Sequence, residues 1–95
     1  MIDMTFAEVL IARALNQIAN DPQAIGRVLN HLDSPMPNIE APTMGGEVFW
    51  HTIYNVDGWR LQENKIFGNC RILDPQNYRQ AWGGKKAILQ AFEKL

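Results

Sequence analysis

The stretch EVFWHTIYNVDGWRLQ, residues 47–62, limits the possible folds more than any other part of the chain. β-Branched and aromatic residues lie on both sides of Asp57-Gly58. That pair suits the two positive φ angles of a tight hairpin turn. If those two residues form the loop, Val56 faces Trp59, Tyr54 faces Leu61 and Trp50 faces Lys65. On the opposite side Asn55 meets Arg60, Ile53 meets Gln62 and His51 meets Asn64. Side chains alternate along a strand, so one face should gather Val48, Trp50, Tyr54, Val56, Trp59 and Leu61. The other should gather His51, Ile53, Asn55, Arg60, Gln62 and Asn64, with Phe49 at its edge.

The polar run Gln62-Glu63-Asn64-Lys65 then reads as the far half of a strand with one wet face. A turn at Phe67-Gly68-Asn69 should return the chain through Cys70 to Leu73. A three-residue turn sets Ile66 opposite Cys70 and Asn64 opposite Ile72, whereas a two-residue turn puts Arg71 beside the face of Asn64. A one-residue slip exchanges the faces of this third strand, and the sequence leaves both registers open.

Helical spacing dominates before the hairpin. Thr5 and Glu8 have the spacing of a capping box. Phe6, Val9, Leu10, Ile11, Ala14, Leu15 and Ile18 follow as a wide apolar stripe. Asn20 marks the stop, and Asp21-Pro22 restarts the chain as a cap followed by proline at the first helical position. Ile25, Val28, Leu29 and Leu32 form the apolar face of this second helix. Residues 33–46 hold Pro35, Pro37, Pro42, Gly45 and Gly46 and read as a crossover loop, pinned to the core by Met36, Ile39 and Met44. After the sheet, Asp74-Pro75-Gln76 repeats the chemistry of residues 21–23, so Pro75 to Trp82 is expected to be a short helix or helical turn. Gly83-Gly84 should break it before a last helix from Lys85 to Leu95, with Ile88, Ala91, Phe92 and Leu95 inward.

The expected architecture is α+β in a single domain of 95 residues. It comprises a helical pair (1–32), the crossover (33–46), a small antiparallel sheet of about three strands (47–74) and a C-terminal helical segment (75–95). The helices should cover one sheet face and leave the other for a partner. No apolar run reaches the length of a membrane span. The acidic N-terminal stretch does not read as a secretory signal. With one cysteine there is no internal disulfide, and no Cys/His cluster suggests a metal. These features lead us to expect a cytoplasmic protein without cofactor or metal.

Charge is uneven. Residues 1–47 carry Arg13 and Arg27 against Asp3, Glu8, Asp21, Asp33, Glu40 and Glu47. Residues 48–95 carry Arg60, Lys65, Arg71, Arg79, Lys85, Lys86 and Lys94 against Asp57, Glu63, Asp74 and Glu93. The C-terminal half is therefore the cationic one, which can steer an anionic partner.

Few residues carry recognisable chemistry. His31 and His51 lie in different elements with no catalytic partner in a known spacing. His31 suits the end of a helix, where a partly charged imidazole meets the dipole favourably. His51 lies among amides on the expected wet face, which is the only support for an enzyme. Cys70 reads as a packed, inert thiol. Gly83, Gly84, Lys85 and Lys86 open a helix, where backbone N–H groups and two lysines suit an anion, although the spacing is not that of a phosphate loop. The acidic residues are used in caps and turns or are scattered, so no acid–base pair emerges. Trp50 and Trp59 read first as core residues.

The function expected from these residues is a small non-enzymatic binding or accessory module. Its candidate contact residues are His51, Ile53, Arg60, Gln62, Asn64 and Arg71, on a mixed polar and apolar sheet face. The partner would be another protein or a second copy of the chain. The alternative is nucleic-acid binding through Arg60, Lys65, Arg71, Lys85 and Lys86.

Overall fold

A computed structural model describes residues 5–32 and 48–95. The crossover loop at 33–46, with Met36, Ile39 and Met44, lies outside the described residues. Helix α1 spans Phe6–Asn20, and the Thr5 hydroxyl caps it by accepting from the backbone N–H of Glu8 at 3.2 Å. Asp21 then accepts from the N–H of Gln23, and α2 runs over Ala24–Asn30, a turn shorter than expected. Four strands follow: β1 Trp50–Val56, β2 Trp59–Asn64, β3 Cys70–Leu73 and β4 Arg79–Gly83. Helix α3 spans Lys85–Glu93. The sheet is an antiparallel meander in the order β1-β2-β3-β4, so β1 and β4 are its edges.

The Asp57-Gly58 turn forms as expected. Both residues have positive φ, 53° and 92°, and the Asn55 side chain accepts from the Gly58 N–H. A Cβ on Gly58 would lie 2.9 Å from the Pro75 Cβ, so this turn needs glycine for contact as well as for φ.

The fourth strand corrects the expected helical turn at 75–82. Asp74 is the cause. One carboxylate oxygen accepts from the N–H groups of Gln76 and Tyr78, and the other accepts from the Gln80 amide. With Asn77 at φ 69°, the chain reverses instead of coiling. An Asx-type turn and a helix cap begin with the same bonds, so Asp-Pro-Gln alone does not separate them.

Two bulges set the faces. Thr52 pairs with Gln62 and Tyr54 with Leu61, leaving Ile53 as an extra residue in β1. Ile72 pairs with Ala81 and Leu73 with Arg79, leaving Gln80 extra in β4. A bulge turns two successive side chains toward one face. Ile53 and Tyr54 therefore both pack against the core. Upstream of the bulge every residue changes sides relative to ideal alternation. Trp50 faces Asn64, not Lys65, and His51 faces Glu63, not Asn64. Two expectations are thus corrected: Trp50 belongs to the outer face, and Ile53 and His51 belong to the helix side.

The helices pack on the inner face. Leu10, Ile11, Ala14, Leu15 and Ile18 of α1 join Ala24, Ile25 and Val28 of α2 and Ile88, Ala91 and Phe92 of α3. Together they cover Trp59, Leu61, Cys70, Ile72 and Ala81. Phe6 and Val9, at the start of the apolar stripe, are exposed. Each fully buried large aliphatic side chain in such a core contributes about 1.5–3 kcal/mol.

Candidate functional site

The strand registers arrange the outer face in rows. The first row runs Asn55, Arg60, Leu73, Arg79. The second runs Thr52, Gln62, Arg71, Trp82, and the third pairs Trp50 with Asn64. Of the six candidate contact residues, four come together here: Arg60, Gln62, Asn64 and Arg71. His51 and Ile53 do not, because of the β1 bulge. Trp50, Arg79 and Trp82 belong to the face and were missed as contact residues. The first was placed in the core by ideal alternation, and the other two were assigned to a helical turn.

This face is not uniformly wet. Gln62 is 1 % exposed and Arg71 is 7 % exposed. The Gln62 amide occupies the middle of a relay. Its nitrogen donates to the Thr52 hydroxyl at 3.1 Å, and its oxygen accepts from the Arg71 Nε at 2.8 Å. A buried glutamine is tolerated only when both ends of its amide are satisfied in this way. The Arg71 guanidinium also lies 4.0 Å from the centre of the Trp50 ring, and that of Arg79 lies 5.4 Å from the Trp82 ring. A desolvated cation over an indole is held by the ring quadrupole. Burial, with the neighbouring charges of Arg60 and then Arg79, lowers the Arg71 pKa below that of an ordinary arginine. The face therefore concentrates positive charge.

Arg60 is held by neutral acceptors. It donates to the backbone oxygens of Gly58 and Asp74 and to the Asn77 side-chain oxygen, which ties β2 to the β3–β4 turn. The indole nitrogen of Trp82 is buried and finds no acceptor among the described residues. An unmade hydrogen bond of this kind costs about 1–3 kcal/mol.

Asn64 ends β2 and builds the next turn. Its side-chain oxygen accepts from the N–H groups of Ile66 and Phe67. The turn before the third strand is longer than in either sequence alternative, and Arg71 falls on the face of Asn64, as the second alternative has it. Glu63 pairs with Cys70 and Gln62 with Arg71, so Ile66 has no strand partner and lies in the connecting turn. The Lys65 N–H donates to the Phe49 carbonyl at 2.7 Å and brings the chain before β1 against this turn. Val48, Phe49, Ile66 and Phe67 are thereby gathered beyond the Trp50–Asn64 pair. All four are exposed, Phe67 by 83 %.

The helix-start candidates lie elsewhere. Gly83 ends β4, paired with Cys70, and Gly84 is the N-cap of α3 without a side-chain cap. Lys85 Nζ is 3.1 Å from a Glu63 carboxylate oxygen. The negative charge that two lysines at a helix start call for is thus supplied by the chain itself. Cys70 is buried on the inner face, and desolvation, with Glu63 adding to it and Lys85 opposing it, pushes its thiol up to about 11. It is a packed thiol with little thiolate. His31 is exposed at the end of α2.

A concavity of about 510 Å³ opens between α2 and the β3–β4 turn, with Trp59, Ile25, Leu29, Pro75 and Gln80 among its walls. Among the described residues no group of three or more His, Cys, Asp or Glu side chains is placed to hold a metal ion, and no helix is long and apolar enough to cross a membrane. The chain matches no family model, no curated protein and no solved structure.

Proposed function

We propose that this protein is a small non-enzymatic binding module. It meets a protein partner, a second copy of itself included, through the apolar end of its sheet and the adjoining outer face. The observation that carries this reading is the exposure of Val48, Phe49, Ile66 and Phe67 on two segments that the Lys65–Phe49 backbone bond joins at one end of the sheet. Single exposed apolar residues are ordinary, but four on adjoining segments beside a polar rim favour an interface. Asn64 and Trp50 supply that rim.

The test is solution mass as a function of concentration, together with affinity purification, for the parent chain and for I66S/F67S. Association, or a retained partner, that is present in the parent and lost in the double variant supports the reading. Identical behaviour of the two chains in both measurements sinks it.

A second reading, nucleic-acid binding, is favoured by Arg60, Arg71 and Arg79 on one face beside Trp50 and Trp82. Lys85, directed at Glu63, is not part of that group. Two phosphate contacts, from Arg60 and Arg79, would give a slope of log affinity against log salt of about −1.5 to −2. A mixed-sequence oligonucleotide whose binding is unchanged in R60Q/R79Q would eliminate it.

A further inference from the structure

We propose that Arg79 and the indole N–H of Trp82 form a carboxylate-binding site on the outer sheet face, one that receives an acidic side chain or a chain terminus from a protein partner. The inference rests on the reading of this face as a protein-binding surface and names the group it recognises.

Three observations converge. The Trp82 Nε1–H is buried without an acceptor among the described residues, so a donor is already desolvated and in place. The Arg79 guanidinium lies over the same ring, and no carboxylate of the described residues pairs with it. Arg71 is the cross-strand neighbour of Trp82, and Arg60 stands in the same row as Arg79, so the surrounding field is cationic. Arg79 is partly exposed on the edge strand β4, so its guanidinium can meet an incoming oxygen beside the Trp82 ring.

The chemistry fits a carboxylate better than a phosphate. A planar two-oxygen group can take the indole N–H on one oxygen and an arginine N–H on the other. Leu73, buried beside Arg79, offers nothing to the further oxygens of a phosphate.

The experiment follows the three tryptophan indole N–H resonances by NMR while sodium acetate, sodium phosphate or sodium chloride is added at equal ionic strength. W82F assigns the Trp82 signal, and circular dichroism checks that this variant folds. Acetate is expected to move the Trp82 resonance saturably and chloride to leave it in place. R79Q should weaken the acetate response about five-fold or more. A short glutamate-rich peptide should bind at lower concentration than acetate. An unmoved Trp82 resonance, or one that moves equally with chloride, overturns the proposal. A response to phosphate at lower concentration than to acetate overturns the carboxylate assignment. The same titration on I66S/F67S separates the two readings: partner binding that persists in the variant with an intact acetate response removes the apolar contact and keeps the anion site, whereas partner binding lost in the variant with no acetate response in the parent does the reverse.

Discussion

The inner and outer faces of the sheet are made from alternate residues of the same strands, yet they are buried by opposite means. Leu61 and Gln62 are neighbours in β2, at 0 % and 1 % exposure. Leu61 is covered by helices and gains from leaving water. Gln62 loses water and must recover each lost hydrogen bond from Thr52 and Arg71. Burial of the first kind tolerates a range of shapes. Burial of the second kind holds only if every partner is in place, so it specifies geometry more than it adds stability. The relay thereby fixes the orientation of the Arg71 guanidinium.

The contrast can be broken at several points. The largest effect is expected for Leu61→Ala, which leaves a cavity under the helices and should cost about 2–5 kcal/mol in denaturant unfolding. If it proves nearly neutral, the inner face is not the main core. Gln62→Ala strands the Arg71 Nε and should cost about 1–3 kcal/mol. A double-mutant cycle with Arg71→Ala should show a coupling of the same sign, and additive losses would mean that the relay is not cooperative.

Cys70 sharpens the inner face by pH. Its thiol, near 9.0 when unperturbed, is raised to about 11 in the fold. Between those values the unfolded chain releases a proton that the folded chain keeps. Stability should therefore fall as pH rises from about 9 to about 11, by about 1–3 kcal/mol. Cys70→Ala should flatten that part of the profile, measured as denaturation midpoint against pH. Trp50→Leu removes the ring beneath Arg71 and should cost about 0.5–2 kcal/mol. The smallest effect is expected at the exposed end of the sheet, where Phe67→Ser should stay within about 0.5 kcal/mol. A larger loss there would place Phe67 in the fold and not in an interface.

Local chemistry accounts for what could be read in advance. The Asp57-Gly58 turn, the Thr5 cap and the apolar stripes of three helices each depend on residues within a few positions of one another. The α+β class, with helices on one face, follows from those periods. The outer face was legible in part, since Arg60, Gln62, Asn64 and Arg71 were placed as candidate contacts and share it. Trp82 and Arg79 were not, because Asp74-Pro75-Gln76 satisfies the opening bonds of a helix and of a hairpin turn equally well. The turn is selected by β3, whose free edge offers a ladder to the residues that follow.

The amino-acid sequence alone determined the three helices that form, where the first hairpin bends and which side of β2 is polar, because propensity, capping and alternation act over short separations. Tertiary structure decided the bulge at Ile53, and with it the side of the sheet on which Trp50 and His51 lie. The bulge lets Ile53 and Tyr54 both reach the core beneath the helices. That choice belongs to packing between elements distant in the chain, and it is also what sets Trp50 beneath Arg71.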